Sequence, residues 1–369
     1  MMITPRAKKI AGIVAAAVIA AAAVFVYFFN PFVFLMPQEK FPLLTATLPL
    51  APNNNSAPAQ AASLWGVDFS QSQAEYLKLD WKELYSSIIN DLGAKDIKLH
   101  TNWNWVEGDK DNYFFNDIDW QIQQAEQHNV KIIYVLGMKT GRWPECHVPD
   151  WAQGLSKTDE QAALLKYMTA VVTRYKNSKA VAYWQVENEP KLPFGNCPSW
   201  YYANGDLLKK EVDLVRSLDA SRPIIISDSG ELSDWTRVAK LADIVGITLY
   251  RNAWTSVTKT YGFESYSFKV PSYYSKKAEN IKKTYGKNVI CIELQAEPWA
   301  GEPLVTAPLA EQLKSMNSDM FKEDVAFAQA TGLDKFYFWG VEWWYWMATK
   351  QNHPEIWNEA KTLFHSGHL

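Results

Sequence analysis

The chain has little of what metal, nucleotide or polyanion chemistry requires. Its six histidines show no His-Glu-x-x-His spacing and its three cysteines no Cys-x-x-Cys spacing, so no metal is expected. A glycine-rich phosphate loop is missing, so no nucleotide cofactor is expected either, and the absence of a Gly-x-Ser-x-Gly elbow argues against a serine esterase. The formal net charge of −3 supplies no basic field, which removes nucleic acid from the expected partners. Aromatic side chains, in contrast, make up 14% of the chain, with seventeen Trp. Indole is costly to place unless the ring packs and its N–H finds an acceptor, so such an excess points to a binding cleft as well as a core. Sugars present flat apolar faces that stack on indole, making carbohydrate the natural ligand class. A Trp-rich core without a cleft is the competing explanation.

The N-terminal segment is different in kind. Arg6, Lys8 and Lys9 precede an uncharged stretch from Ile10 to Phe29, about 30 Å long as a helix, enough for the hydrocarbon core of a bilayer. Residues 1–36 are therefore expected to be a signal anchor in the lipid bilayer, its basic tip cytoplasmic and the rest of the chain extracytoplasmic. The alanines at 20 to 23 keep a cleaved signal peptide, and hence secretion, as the alternative. Residues 37–63, rich in Pro, Asn, Ala and Ser, are expected to be a flexible linker, leaving 64–369 as the folded domain. In an oxidising compartment Cys146 and Cys197, both in loop-like surroundings, are a candidate disulfide. Cys291 lies inside an apolar run and reads as a small buried hydrophobe.

From Leu64 onward, short apolar runs alternate with helical periodicity. The runs Leu64–Phe69, Asp96–His100, Lys131–Leu136, Val181–Val186, Pro223–Ser227, Ile244–Leu249, Asn288–Ile292 and Lys335–Trp339 predict eight strands, each followed by a helical segment. Helices are expected at, among others, Thr158–Tyr175 and Leu309–Thr331, the second closed by Gly332. Nearly continuous apolar strands imply parallel pairing with both faces covered. The fold class is therefore α/β, a single (β/α)8 TIM barrel preceded by the transmembrane helix and linker. A doubly wound open sheet fits the alternation equally well, but it gives no reason for polar and aromatic residues to accumulate after so many different strands.

Two glutamates stand at strand tips: Glu189, in Asn188-Glu189-Pro190 after the fourth strand, and Glu293, closing Val289–Ile292 of the seventh. In a closed barrel these tips share one mouth, and retaining cleavage of a glycosidic bond needs two carboxyls about 5–5.5 Å apart. With these motifs on these strands, the chain resembles the clan A retaining glycoside hydrolases over residues 64 to 365. The resemblance implies Glu189 as acid/base, Glu293 as nucleophile, Asn188 on the sugar 2-hydroxyl, Tyr250 holding the nucleophile, and Trp339 as the floor of a sugar subsite. One departure is visible. Where many members of the clan carry a strand-two Arg, this chain has Lys98, with His100 two residues on, and Lys lacks the planar fork for a bidentate contact.

Two other carboxylates compete with the pair. Glu187 shares face parity with Glu189 but is expected one pleat deeper, and Glu297 lies four residues past its strand, so Glu293 ranks above it as nucleophile. Trp103, Trp143 and Trp299, in aromatic loops after the strands, are expected to stack several sugar units, with His147 and Glu342 reading hydroxyl positions. The expected activity is a retaining glycosidase acting on an oligo- or polysaccharide. A non-catalytic carbohydrate-binding barrel and a transglycosylase of envelope glycans using the same residues remain the alternatives.

Overall fold

Runs of β-branched and aromatic residues form eight strands: β1 Leu64–Phe69, β2 Asp96–His100, β3 Lys131–Leu136, β4 Val181–Val186, β5 Ile224–Asp228, β6 Ile244–Leu249, β7 Asn288–Gln295 and β8 Lys335–Trp339. In the computed structural model these strands pair in sequence order, all parallel, and β8 returns to β1 to close the barrel. The structure describes residues 63–202, 206–255, 260–261, 270–367 and 369. The expected anchor, and all but the last residue of the expected linker, fall outside that set. Among the described residues no helix is long and apolar enough to cross a membrane.

Alternation along the strands divides two cores. Outward residues such as Val67, Ile97, Trp184, Ile226, Ile247 and Phe338 pack beneath the helices, while Ile133, Ile225, Ile290, Ile292 and Tyr337 fill the barrel interior. Gly66 makes room for Tyr337: a Cβ there would lie 2.6 Å from the ring. Above the apolar layer, Asp68, Lys98, Gln185, Ser227, Thr248 and Glu293 are all buried. The interior thus turns from hydrocarbon to polar side chains toward the C-terminal ends of the strands.

Helix boundaries depart from the pattern where a cap intervenes. Lys157–Tyr175 starts from Ser156, whose hydroxyl accepts from the Asp159 N–H at 3.2 Å, so Thr158 lies inside the helix. The single helix expected over Leu309–Thr331 is two, Leu309–Gln312 and Ser318–Ala330, because the Asn317 side chain accepts from the Met320 N–H at 3.0 Å and starts the second. Two strands also change bounds, β5 by one residue at each end. β5 begins after Pro223, which has no N–H to donate. β7 runs on to Gln295, so Glu293 lies within the strand and not beyond its tip.

Candidate active site

Strict alternation on β7 would turn Glu293 outward beside Cys291, because Ile290 and Ile292 point inward. An irregularity in register prevents this. Ile247 and Thr248, adjacent on β6, pair with Cys291 and Glu293, leaving Ile292 as an extra residue. Such a bulge puts two consecutive side chains on one face and delivers Glu293 into the barrel mouth.

There Lys98, fully buried, lies 2.7 Å from Glu293 Oε1 and 2.9 Å from Asp68 Oδ2. Burial alone would push the Lys98 ammonium down, but the charges of Asp68 and Glu293 outweigh it and raise its pKa. Burial likewise pushes the Asp68 carboxyl up, and His100 and Lys98 more than reverse this, leaving it lowered. His100 joins Asp68 through Nε2 and the Thr140 carbonyl through Nδ1. Lys98 therefore stands in place of the expected Arg with one direct contact, and His100 reaches Glu293 only through Asp68 and Lys98. The second oxygen of Glu293 accepts from the Tyr250 hydroxyl at 2.9 Å. Burial and the charges of Glu293 and Glu189 raise the pKa of Tyr250 well above its usual value, so it remains a donor.

At the end of β4 the backbone leaves extended geometry. Glu187 and Glu189 adopt φ values of 61° and 43°, left-handed conformations that are costly for residues other than glycine. This overturns the shared face expected for the two glutamates. The Glu187 carboxylate turns aside to accept from the Met138 and Lys139 N–H groups, each at 2.7 Å, and from the Tyr201 hydroxyl at 2.7 Å. Glu189 is anchored through its main chain: its N–H donates to Ser227 Oγ at 2.7 Å, and Lys139 Nζ donates to its carbonyl at 3.1 Å. Its carboxyl accepts from Thr248 Oγ1 at 3.2 Å, and Thr248 is the residue paired with Glu293 across β6 and β7. Burial, followed by the charge of Glu293, raises the Glu189 pKa well above the ordinary carboxyl range. Asn188 beside it is fixed by Gln185 and Ser227, whose side chains donate to its Oδ1 at 3.1 and 3.2 Å.

Trp339, at the end of β8, carries the Arg142 guanidinium 3.9 Å from its ring centre and donates from Nε1 to Glu297 at 2.8 Å. Arg142 also pairs with Glu297 and, at 3.0 Å, with Glu342. Glu297 is thus bound within the protein. Glu342, expected to read substrate hydroxyls, is completely buried, accepts from Arg142 and the Ser70 N–H, and is pushed up to about 7 chiefly by burial. His147 is also buried, with Nε2 against the Gly141 carbonyl at 2.9 Å, and burial lowers it to about 4. Trp103 is a core residue, donating to Glu107 at 2.8 Å and stacked with Tyr167. These three do not face the cleft because their polar atoms are already satisfied inside the fold.

Trp143 and Trp299 differ from them. Trp143 is 73% exposed and Trp299 39%, and Phe194 touches both rings, at 6.4 and 6.2 Å between centres. Trp299 continues to Tyr250 at 5.0 Å, making an aromatic rim that ends at the Glu293 hydroxyl donor. Cys146 and Cys197 are joined in a disulfide that ties the loop after β3 to the loop after β4. On the β1–β2 side, a cavity of about 430 Å³ opens beside His100, with Gln71, Asn102, Trp105 and Asp117 in its walls. Among the described residues no group of three His, Cys, Asp or Glu side chains could hold a metal ion.

Sequence reasoning brought together Glu189, Glu293, Asn188, Tyr250, Lys98, His100 and Trp339. It missed Asp68, Arg142, Ser227, Thr248 and Glu231; Glu231 accepts from the Tyr250 N–H at 3.0 Å and the Tyr274 hydroxyl at 3.2 Å. Asp68 and Ser227 at strand ends, and Arg142 inside a Trp-Pro loop, were the only available signals.

Residues 128–308 match the family model for glycosyl hydrolases family 2, TIM barrel domain. Over 124 residues the chain is 31% identical to a probable mannan endo-1,4-beta-mannosidase A of Aspergillus niger, covering 31% of this chain and 30% of that protein. It is 27% identical over 125 residues to mannan endo-1,4-beta-mannosidase A of Hypocrea jecorina, covering 31% of this chain and 26% of the relative. The match thus spans less than a third of the length of these curated relatives. Xylanase 10B from Thermotoga petrophila RKU-1, solved with xylobiose, superposes with a TM-score of 0.51 at 15% identity, over 76% of this chain and 82% of its own. GH5_18 from Bifidobacterium longum subsp. longum gives 0.53 at 15% identity, over 76% and 70%. At such identities the superpositions carry the fold. The resemblance to clan A glycoside hydrolases is borne out by the family model, whose match over residues 128–308 spans the positions of both Glu189 and Glu293.

Proposed function

We propose that the protein is a retaining glycoside hydrolase that cuts within a β-1,4-linked mannan-type polysaccharide. One observation carries the mechanism: two glutamates meet at one barrel mouth in opposite surroundings, Glu189 raised by burial and negative neighbours, Glu293 held by the Lys98 ammonium and the Tyr250 hydroxyl. Glu189 then holds the proton that the leaving oxygen needs, and Glu293 is the carboxylate that attacks the anomeric carbon. Once the glycosyl–Glu293 ester forms, the Glu293 charge is gone, the Glu189 pKa falls, and Glu189 serves as the base for water. Asn188, beside Glu189, binds the 2-hydroxyl of the sugar under attack. The mannan preference draws on the names of the curated relatives, and a polymeric substrate on the exposed rim of Trp143, Phe194 and Trp299.

The catalytic domain acts outside the cytoplasm, held by the N-terminal anchor; the Cys146–Cys197 disulfide supports an oxidising compartment. The test is hydrolysis of mannan and aryl β-mannosides by wild type, Glu189→Ala and Glu293→Gln. Glu189→Ala should lose about 10²–10⁴-fold on mannan and much less on a dinitrophenyl glycoside, whose leaving group needs no proton. Glu293→Gln should be inactive on both. A first product of inverted anomeric configuration, read by proton NMR, would refute the mechanism.

A further inference from the structure

Glu145 is an ionisable side chain in the site that the proposed chemistry does not use. It sits in the loop after β3, only 7% exposed, and that loop is tied on several sides. The neighbouring Cys146 is bonded to Cys197, and the Asn196 N–H donates to the Pro144 carbonyl at 2.8 Å. Glu145 itself donates from N–H to the Arg142 carbonyl at 2.6 Å and accepts at its carbonyl from the Thr140 N–H at 3.1 Å. Its φ is 75°, and Gly195 packs so closely that a Cβ there would come within 2.4 Å of the Glu145 Cβ. Backbone strain and a glycine contact thus fix where this side chain leaves the main chain.

That placement serves no contact within the fold. Among the described residues the Glu145 carboxylate has no hydrogen-bond or ion-pair partner, and its oxygens are not among the fully enclosed polar atoms, so they keep some access to solvent. Charges of the site reach it: Lys139, Glu293, Lys98 and Arg142 all act on it, and it acts in turn on Glu189. Burial pushes its carboxyl up to about 7. A nearly buried carboxylate without a donor is costly, and sites that leave such an acceptor open discriminate strongly for ligands that fill it.

The side of the cleft follows from its neighbours. Lys139, the cation acting most strongly on Glu145, donates to the Glu189 carbonyl, and the exposed Trp143 and Phe194 belong to the same pair of loops. These are the surroundings of the proton donor and hence of the departing sugar. We propose that Glu145 is a specificity-determining residue: its carboxylate accepts hydrogen bonds from hydroxyls of the leaving sugar and excludes leaving sugars that carry a carboxylate. The inference rests on the glycosidase reading.

The test uses β-mannobiose joined 1,4 to glucose or to glucuronic acid, with an aryl β-mannobioside as reference, at a pH above 7 where Glu145 is ionised. Wild type should favour the glucose over the glucuronate substrate by at least about 100-fold in kcat/KM, the cost of opposed like charges. Glu145→Gln should lower kcat/KM on the glucose substrate by roughly 10- to 100-fold, the worth of hydrogen bonds to a charged group, and shrink the preference at least tenfold. A wild type that cleaves both substrates equally overturns the proposal without any variant. So does a Glu145→Gln enzyme with the wild-type preference intact, or with all three substrates reduced by one factor and a shifted pH profile, because Glu145 would then act only through the Glu189 proton. Failure of wild type to cleave even the aryl mannobioside, or any other aryl glycoside, sinks the glycosidase reading and this inference with it.

Discussion

The ends of β4 and β7 each present a buried glutamate, and they are built by different means. Around Glu293 both oxygens are held by side chains from other strands, Lys98 of β2 and Tyr250 after β6. Glu189 is gripped by its main chain, through Ser227 and Lys139, while its carboxyl meets one hydroxyl and the charges of Glu293, Glu145 and Glu231. The same side chain is therefore an ion pair at one tip and a carboxyl with a raised pKa at the other. Environment, not residue type, assigns the roles.

The largest way to break the contrast is to remove the cation. Lys98→Met leaves Asp68 and Glu293 as facing buried carboxylates without their shared partner, which should cost about 3–5 kcal/mol of stability in chemical denaturation. Hydrolysis should fall by several orders of magnitude together with it, because one of the two carboxyls takes up a proton.

A finer test follows the proton on Glu189. Its folded pKa lies above the unfolded value, so the folded chain holds a proton that the unfolded chain has lost at pH values between them. The contribution to stability is fully present below the unfolded carboxyl pKa, about 4.5, and is lost as pH rises through the folded one. Thermal melts of wild type should therefore decline toward alkaline pH more steeply than those of Glu189→Gln. Replacing Glu293 by Gln removes the second-largest cause of the shift, so a carbon-13 titration should find the Glu189 pKa lower in that variant. An unchanged Glu189 titration would mean that burial alone sets its proton.

The smallest effect is expected at the rim. Trp143→Ala, at a side chain 73% exposed, should leave the melting temperature nearly unchanged and raise KM on mannan about 2- to 10-fold, the worth of one stacking ring.

Much of the barrel is legible in sequence because its strands are short, apolar on both faces and separated by helical periods. Six of the eight strands begin and end where the pattern puts them, and the exceptions are β5, which starts after Pro223 and runs on to Asp228, and β7, which extends to Gln295. Trp103, His147 and Glu342 show the opposite case. Nothing in the local sequence distinguishes a Trp that packs against Tyr167 from one that faces solvent, as Trp143 does. Both carry the same side chain in an aromatic stretch after a strand, with Trp103 opening the short helix Trp103–Val106.

By itself, then, the sequence determined the eight strand–helix units and put Glu189 after β4 and Glu293 near the C-terminal end of β7, because hydrophobic period and strand-end residues are local properties of the chain. Only the tertiary structure decided where those carboxyls point and what charge they carry. The bulge that turns Glu293 inward depends on pairing between β6 and β7, and the Lys98–Glu293 bond joins residues 195 positions apart. Closure of the barrel brings such distant groups into water-poor contact, and ion pairing and pKa are set by that contact.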